Sequence, residues 1–384
     1  MSKKLSMSEA QKEMLKFFGE DTVFFDGNIA SVGTVDIIPT GSHLLDEAIG
    51  VGGFPRGRII QLAGKESSGK TMLALSCIRN YLNQNPENTA LFFDAEYTYD
   101  PEWAESLGVD TARVMVIKTN DAKKIFDGLI GINNPNSKNK KMKGILDYVC
   151  EGEDPRFKNL GVIVLDSIAV LNTPMEKDSE AGKQNIASVA RFLSSELKKL
   201  TPEVAKANVC FIGINQVRVN VGQMWGDPTS SPGGKALKHA CSLMVNMAPI
   251  SSSESYIYNS EGSRIGHKVR AKIGKNKVGS PFKEAEYSIE YLRGITNLIE
   301  EVFLLGINYN LIERPNNRSY IIGSEKIVGK DSALKYLEEN EDICNSIIEQ
   351  VKNVYLNKVS QEENKVKDED EGEDDNILLK EMEI

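Results

Sequence analysis

The stretch GRIIQLAGKESSGKTMLALSCIRNYL, residues 57–82, decides the fold class. It begins with an apolar run typical of a buried β-strand, and it ends with a run whose apolar spacing is typical of an α-helix. Between the two lies the pattern GxxxxGK[ST], which occurs where backbone amides and a helix N-terminus surround a phosphate group. A strand, a glycine-rich turn and a helix in this order predict a phosphate-binding loop.

The phosphate loop predicts a nucleotide site that also holds Mg²⁺. Glycines let the backbone wrap a phosphate, Lys70 supplies positive charge toward the outer phosphates, and the Thr71 hydroxyl is a magnesium ligand. A chance match of the pattern is the alternative, and the flanking strand and helix argue against it. The residues predicted to contact the nucleotide are Gly64, Lys65, Glu66, Ser67, Ser68, Gly69, Lys70, Thr71 and Met72.

Apolar runs alternate with helical patterns over the rest of the core. Near-continuous apolar strands that alternate with helices are typical of parallel sheets covered on both faces. The sequence therefore predicts an α/β fold with a mostly parallel sheet. The predicted strands are GRIIQLAG, TALFFDAE, RVMVIK, GVIVLDS, NVCFIGINQ, SLMVNMA, KVRAKIG and EYSIEY.

Polar side chains follow several of these strands, at the sheet edge where ligands bind in such folds. Asp166 ends its strand and is predicted to be the second carboxylate on the magnesium side. Glu96 is predicted to be the base that positions the attacking water, with Asp94 as its competitor. Gln216 can sense a γ-phosphate and pass its state to the following loop. Trp103 offers a face on which adenine can stack, and core burial is the alternative.

The chain divides around this core into four predicted parts. Residues 1–42 form an N-terminal helix (8–19) and a linker for subunit packing, and residues 43–293 form the core, with a surface insertion at about 132–159. Residues 294–356 form a small C-terminal α/β domain, and residues 357–384 form an acidic disordered tail. Residues 361–384 hold eleven acidic residues against three lysines, so the rest of the chain is close to neutral despite a net charge of −9. A neutral body can still present local basic strips to a polyanion.

Composition excludes several classes of protein. The five cysteines are scattered singly, which argues against a disulfide framework, and the three histidines have no ligand neighbours at zinc spacing. No run approaches the ~20 apolar residues of a membrane helix, and the N-terminus lacks the apolar stretch of a signal peptide. The composition predicts a protein of the cytoplasm with no membrane partner.

Several motifs in the same order resemble the bacterial RecA recombinase family, from about residue 8 through 356. The motifs are PTGSHLLDEAIGVGGFPRGRIIQLAGKESSGKT, FFDAEYTYDP, VIVLDSIAVL, INQVRVNVGQMWGDPTSSPGGKALK and KIGKNKVGSPFKEAEY. The resemblance implies a RecA-type core with ATP and Mg²⁺ as cofactors. Within that site it implies Lys70 and Glu96 as catalytic groups, Gln216 as the γ-phosphate sensor, and Thr71 and Asp166 as metal ligands.

The resemblance also assigns residues outside the phosphate loop. It implies that Asp100 and Trp103 hold adenine, with Trp in place of the family's usual Tyr. It implies that Lys275 and Lys277 reach the ATP of a neighbouring subunit, with Lys238 nearby. From the residues alone, a solvated strand end is the alternative for the two lysines.

DNA binding in this family uses two loops, which fall here at about 178–187 and 217–234. Phosphate and stacking contacts of this kind predict binding that is largely independent of sequence and sensitive to salt. A flexible loop without a ligand is the alternative. The predicted DNA-binding residues are Arg191, Ser194, Lys198, Arg218, Val221, Trp225, Gly233, Gly234 and Lys235.

The function implied by the resemblance is ATP-dependent recombination and DNA repair. Its partners are single-stranded DNA, homologous duplex DNA and further copies of the chain in a helical filament, with a loader, a single-strand-binding protein and a repressor as additional candidates. A hexameric RecA-fold helicase or motor, and a regulatory filament without strand exchange, are the alternative functions. The acidic tail is interpreted as a DNA mimic or as a solubility tail.

Three departures from the family pattern indicate a divergent member, for instance one carried by a phage or another mobile element. The segment 132–159 lengthens the chain, and its Lys138, Lys140, Lys141 and Lys143 add DNA contacts or belong to a solvated insertion. His239 stands where the family typically has a Phe at the subunit interface. The first DNA loop shares spacing with the family more than sequence.

Overall fold

Apolar strands separated by helices form one ten-stranded sheet in the computed structural model, which describes residues 35–133, 141–174, 186–219, 229–230 and 234–356. The remaining strands of the described residues form four smaller sheets. In chain order, all the described strands are β1 (Ile37–Ile38), β2 (Phe54–Pro55), β3 (Arg58–Gly64), β4 (Thr89–Asp94), β5 (Val114–Lys118), β6 (Gly131–Asn133), β7 (Lys141–Lys143), β8 (Leu160–Asp166), β9 (Cys210–Gln216), β10 (Arg218–Val219), β11 (Thr229–Ser230), β12 (Leu243–Pro249), β13 (Tyr256–Tyr258), β14 (Arg264–Asn276), β15 (Glu284–Glu290), β16 (Gly294–Thr296), β17 (Ile312–Asn316), β18 (Ser319–Ile322) and β19 (Glu325–Val328).

Helices connect the strands of the parallel part of the large sheet and also lie near the C-terminal end. They are α1 (His43–Ile49), α2 (Lys70–Gln84), α3 (Pro101–Ser106), α4 (Ala122–Ile130), α5 (Ile145–Glu151), α6 (Ile186–Lys206), α7 (Gly234–Ala240), α8 (Leu298–Asn308), α9 (Lys330–Glu339) and α10 (341–356). None of the helices in the described ranges is long and apolar enough to cross a membrane.

The sheet has a parallel half and an antiparallel half that meet at β12. The parallel strands lie in the order β12, β3, β9, β8, β4 and β5. Beyond β12 the sheet continues antiparallel through β14, β15 and β16, and β13 pairs with β14. This arrangement confirms the predicted α/β fold with a mostly parallel sheet.

The central strand β3 is buried on both faces, which explains its continuous apolar sequence. Ile60 and Leu62 belong to a core cluster that includes residues of α1 and α2, whereas Ile59 belongs to a second cluster with residues of α4 and α6. Successive side chains of a strand point to opposite faces, so a strand covered on both sides needs apolar residues at nearly every position. The continuous apolar sequence of β3 therefore reflects packing against two separate cores.

A third apolar cluster lies in the C-terminal part of the chain. It joins α8, α9 and α10 to the three-stranded antiparallel sheet β17–β18–β19, and the rings of Phe303 and Tyr320 meet there at 5.0 Å between centroids. Described residues from Ile37 onward belong to one unit. The domain boundaries given by the sequence therefore stay predictions.

The segment predicted to be a surface insertion contains regular structure in its described part. Strands β6 and β7 pair antiparallel, and α5 follows with Leu146 buried in the second core cluster. The predicted N-terminal helix, residues 134–140, most of the first DNA loop and the acidic tail lie outside the described residues.

A buried carboxyl group joins the start of α1 to α8. The Ser42 hydroxyl donates a hydrogen bond to Glu301 Oε2 at 2.9 Å, and the Leu44 amide donates to the same oxygen at 3.1 Å. Glu301 is 3% exposed, and its burial raises the pKa of the carboxyl group to about 8. The neighbouring buried Asp46 has its pKa raised to about 7 for the same reason.

The variant Glu301→Gln should make stability less dependent on pH. The folded state holds the Glu301 proton up to about pH 8, whereas the unfolded chain releases it near its ordinary pKa of 4.5, so stability falls as pH rises between these values. A full proton difference corresponds to about 1.4 kcal/mol per pH unit. Melting temperatures measured from pH 5 to 8 should therefore fall less steeply for Glu301→Gln than for the unchanged protein.

The matched control is Glu300→Gln on the same helix. Glu300 is paired with Lys330, and this interaction lowers rather than raises its pKa. Parallel melting curves for Glu301→Gln and the unchanged protein across this pH range would refute the assignment.

Candidate functional site

The carboxyl ends of four parallel strands bring the predicted site residues to one edge of the sheet. Gly64 at the end of β3 is in register with Gln216 at the end of β9, and Asp94 of β4 is in register with Asp166 of β8. The Val217 amide donates to the Gly64 carbonyl at 3.3 Å. The edge at which ligands bind in open α/β sheets is therefore where the predicted side chains meet.

The phosphate loop connects β3 to α2 with the geometry that its glycines permit. Gly69 has φ +83°, in the left-handed region, and it directly precedes the first helical residue, Lys70. At Gly64, an added Cβ would lie 2.6 Å from the Ser68 hydroxyl oxygen and against the Met247 carbonyl. Both positions exclude a side chain, which leaves the backbone amides of the loop accessible to an anion.

Lys70 is 8% exposed, and its ammonium group folds back over the loop. Its Nζ donates to the Lys65 carbonyl at 2.7 Å and to the Ser68 hydroxyl at 3.4 Å. Burial lowers the pKa of Lys70, while the negative charges of Asp166 and Glu96 oppose that shift. The geometry holds a positive charge beside the helix N-terminus, which is favourable for a bound polyphosphate.

Thr71 and Asp166 form a pair of oxygen ligands next to the loop. The Thr71 hydroxyl donates to Asp166 Oδ2 at 2.7 Å. Asp166 is 7% exposed, and burial raises the pKa of its carboxyl group to about 6, with the negative charges of Glu96 and Asp94 acting in the same direction. A buried carboxylate crowded by other carboxylates is stabilised by a cation. A hydroxyl and one carboxylate are also the protein ligands that Mg²⁺ typically takes beside nucleotide phosphates.

The two acidic candidates at the end of β4 have different environments. Asp94 is 1% exposed, and its two oxygens accept hydrogen bonds from the amides of Thr98 at 3.0 Å and Tyr99 at 3.1 Å. Glu96 is half-buried and accepts a hydrogen bond from the Ser167 hydroxyl. Asp94 therefore holds the loop that follows β4.

Glu96 lies among the other residues of the sheet edge. Gln216 Nε2 is 3.5 Å from Glu96 Oε1, and the Glu96 amide donates to the Asp166 carbonyl at 3.3 Å. These contacts place the acidic group that the sequence favoured as the base next to the amide that it favoured as the sensor.

A cavity of 430 Å³ adjoins the phosphate loop. It is lined by Ser67, Gly69, Lys70, Thr71 and Met72 of the phosphate loop and α2, and by Trp103, Arg264, His267, Ile289 and Tyr291 from elsewhere in the chain. Trp103 Nε1 donates to the Tyr291 carbonyl at 2.8 Å, and the Trp103 ring also packs against the first core cluster. Trp103 thus both contributes to the core and lines the cavity.

Asp100 does not line this cavity. Its Oδ1 accepts hydrogen bonds from the amides of Glu102 at 2.9 Å and Trp103 at 3.2 Å, so the side chain caps the N-terminus of α3. The predicted contact of Asp100 with adenine stays a prediction.

Four residues of this cavity were missed by sequence reasoning, because their strands follow the phosphate loop by about 200 residues. They are Arg264, His267, Ile289 and Tyr291. His267 is 2% exposed, and its pKa is lowered by burial and by the nearby charge of Arg264. No local motif marks these residues, since they reach the site only because β14 and β15 extend the sheet beyond β12.

A second cavity, of 710 Å³, lies between the start of β3, α6 and the end of α7. It brings together Ser194 and Lys198, predicted to bind DNA, and Lys277, predicted to reach a neighbouring ATP. None of the described lining residues is acidic, so the cavity is basic. Its lining residues are Arg58, Ser194, Leu197, Lys198, Thr201, His239, Ala240, Ser242 and Lys277.

Arg58 is the charged lining residue that the sequence analysis did not single out, because a charged residue at the start of a strand carries no motif. Arg191 is exposed one turn of α6 before Ser194 and is not part of the lining.

Lys275 and Lys277 differ in their surroundings. Lys275 Nζ donates to the Lys238 carbonyl at 2.5 Å, at the C-terminal end of α7, and burial together with the charges of Lys277 and Lys238 lowers its pKa. The side chains of Lys238, His239 and Lys277 are exposed. Lysine near a helix C-terminus is favourable for the exposed carbonyls there.

The second predicted DNA loop begins directly after Gln216 with a pair of short strands. In this pair, Arg218 of β10 is in register with Ser230 of β11. Gly234 starts α7, and Lys235 lies in its first turn. Val221, Trp225 and Gly233 lie outside the described residues, as do the side chains of Arg218 and Lys235.

A glycine-rich phosphate loop on a central parallel strand, with carboxylates and a glutamine amide at neighbouring strand ends, defines a P-loop nucleotide-binding protein. The family described as RecA N-terminal domain matches residues 5–134 and 148–296. The interruption of that match at 135–147 falls inside the segment predicted to be an insertion.

Relatives with the name Protein RecA are similar over nearly the whole chain. The protein from Mycoplasma mycoides subsp. mycoides is 36% identical over 349 residues, covering 91% of this chain and 92% of the relative. The protein from Methylococcus capsulatus is 33% identical, with coverages of 90% and 91%. The protein from Borrelia duttonii is 32% identical, with coverages of 94% and 92%.

The chain belongs to the RecA family, and its function is that of a RecA recombinase. The two alternative functions, a hexameric motor and a regulatory filament without strand exchange, are not favoured by these relatives.

The variants Asp94→Ala and Glu96→Ala should differ in their free energy of unfolding, because only Asp94 holds the loop that follows β4. Asp94→Ala leaves two amides of the following loop without their acceptors, so the free energy of unfolding should fall by about 1–3 kcal/mol. Glu96→Ala leaves one hydroxyl, that of Ser167, without its acceptor but also removes a charge that repels Asp166, so the stability should fall by less than in Asp94→Ala. Urea-unfolding midpoints measure both effects, and equal midpoints for the two variants would contradict the assignment.

Proposed function

We propose that the chain binds ATP with Mg²⁺ at the phosphate loop and hydrolyses it in a DNA-dependent manner. The observation that carries the proposal is the convergence of Lys70, Thr71, Asp166, Glu96 and Gln216 at one sheet edge. The loop backbone and Lys70 bind the phosphates, and Glu96 positions the water that attacks the outer phosphate.

Thr71 and Asp166 are the residues that would hold Mg²⁺. When bound, the metal supplies positive charge that offsets the charge developing on the phosphate oxygens. The Thr71–Asp166 hydrogen bond keeps both oxygens on the same side of the loop.

Gln216 is proposed to carry the state of the nucleotide to the DNA-binding loop. It is half-buried beside Glu96, and only Val217 separates it from β10. A contact between the side-chain amide of Gln216 and an outer phosphate would shift the positions of β10 and β11, and with them the predicted DNA-binding loop.

The chain is proposed to assemble on single-stranded DNA as a helical filament that pairs with homologous duplex DNA. The basic cavity supports a DNA contact, because Lys198, Arg58 and the hydroxyl groups around them suit phosphate oxygens. The exposed side chains of Lys238 and Lys277 support a role toward the ATP of a neighbouring subunit. A loader, a single-strand-binding protein, a repressor, a cytoplasmic location and a phage origin belong to the same proposal.

ATP hydrolysis by the full chain should rise strongly when single-stranded DNA is added, and Lys70→Ala should abolish it. The substitution removes the charge held beside the helix N-terminus. The matched control is Lys335→Ala, because Lys335 is exposed on α9, is paired with Glu339 and does not belong to the phosphate loop. Phosphate release over time, with and without DNA, is the measurement.

Hydrolysis that ignores DNA would refute the coupling, and hydrolysis that survives Lys70→Ala would refute the site. The formation of joint molecules between single-stranded and homologous duplex DNA then tests the recombinase activity itself. A chain that hydrolyses ATP with DNA but forms no joint molecules would contradict the proposed strand exchange.

The variant Lys198→Ala should lower the affinity for single-stranded DNA. It should also make that affinity less dependent on salt concentration. Each phosphate contact on a single strand contributes about 0.7 to the slope of the logarithm of affinity against that of salt concentration. Fluorescence anisotropy at several salt concentrations should therefore give a slope lower by about that amount. Lys123→Ala is the control, since Lys123 is exposed on α4 and paired with Asp127. An unchanged slope for Lys198→Ala would place DNA elsewhere.

A further inference from the structure

Arg264 is a charged residue of the cavity beside the phosphate loop to which no role has been assigned. Its guanidinium carbon lies 3.9 Å from the centroid of the Tyr256 ring, and its Nε donates to the Gly266 carbonyl at 3.4 Å. Tyr256 lies on β13, which pairs with the β14 segment that carries Arg264. An arginine stacked on an aromatic face has a fixed plane, so its donors point in defined directions.

The terminal nitrogens of Arg264 are available to a ligand. Within the described ranges, neither of them has a hydrogen-bond or ion-pair partner. The side chain is exposed, and it lines the cavity beside the phosphate loop. Donors that are ordered but unpaired at the mouth of a nucleotide cavity need no new backbone arrangement to contact a bound molecule.

Other polar groups on this side of the cavity are already engaged or buried. Trp103 Nε1 donates to the Tyr291 carbonyl. The ring nitrogens of His267 are shielded from solvent, with the Ser67 backbone as their polar neighbour and no hydrogen bond of standard geometry. Ile289 is apolar. Arg264 is therefore the charged hydrogen-bond donor on this side of the cavity that could contact a bound base.

The position of the base follows from the position of the phosphates. Lys70 and Thr71 hold the phosphate side of the cavity, so ribose and base extend toward Trp103, Tyr291 and Arg264. A guanidinium group has only donors. The exposed edge of guanine offers two acceptors, N7 and O6, whereas adenine offers the acceptor N7 and the donor N6, which repels a second donor.

We propose that Arg264 is a base-recognition residue of the nucleotide site and that it raises the affinity for GTP relative to ATP. The proposal rests on the proposed nucleotide site and adds the class of base that the site accepts. Guanine nucleotides are then ligands of this chain in addition to ATP.

The test is competition of non-hydrolysable ATP and GTP analogues against a fluorescent ADP analogue on the full chain with Mg²⁺. Arg264→Ala should lower the affinity for the GTP analogue by at least about fivefold and change that for the ATP analogue by less than about twofold. Arg264→Gln should reverse the preference, because an amide pairs one donor and one acceptor with adenine. Arg264→Lys should behave like Arg264→Ala, because it keeps the charge but loses the planar donor pair.

The matched control is Arg270→Ala on the same strand. Arg270 is exposed and paired with Glu286, and it does not line the cavity. Both affinities should stay unchanged in this variant, and melting curves establish that all variants fold.

The outcomes separate the two proposals. If neither analogue displaces the probe, or the probe itself fails to bind, the nucleotide site is wrong and the role of Arg264 fails with it. If the ATP analogue binds and Arg264→Ala changes neither affinity, or both equally, the nucleotide site stands and base recognition by Arg264 is refuted.

Discussion

Gly64 is held between two parallel partners, and the rest of the site depends on that register. It pairs with Gln216 of β9 on one side and with Met247 of β12 on the other. The close approach of Met247 and Ser68 leaves no space for a side chain at this position. The positions of the phosphate loop, of Gln216 and of the junction with the antiparallel half of the sheet are consequently fixed by the same few backbone hydrogen bonds.

Sequence patterns predicted the fold well, because its strands are buried on both faces and read as continuous apolar runs. The site residues at the strand ends were predictable for a related reason: parallel strands share a carboxyl edge, so residues distant in sequence meet there. The different environments of Asp94 and Glu96 were less accessible, since both acids lie at the end of the same strand. They depend on the amides of Thr98 and Tyr99, which donate to Asp94.

The base side of the nucleotide cavity and the basic cavity could not be predicted from local patterns. Tyr291 and Arg264 reach the phosphate loop through strands that pair antiparallel with one another. Arg58 shares its cavity with α6 and Lys277, which lie far from it in the chain. Asparagine and lysine around β6 and β7 also concealed a strand pair, because such residues are typical of loops.

The strand β3 connects the basic cavity to the phosphate loop. Arg58 at its start lines the basic cavity, and Gly64 at its end begins the phosphate loop. Seven residues of extended chain span roughly 20 Å. Because both faces of the strand are packed against a core, its length is fixed and it moves as a rigid element. Coupling between the proposed nucleotide and DNA contacts would therefore require tilting or rotation of the segments attached at its two ends, at constant separation.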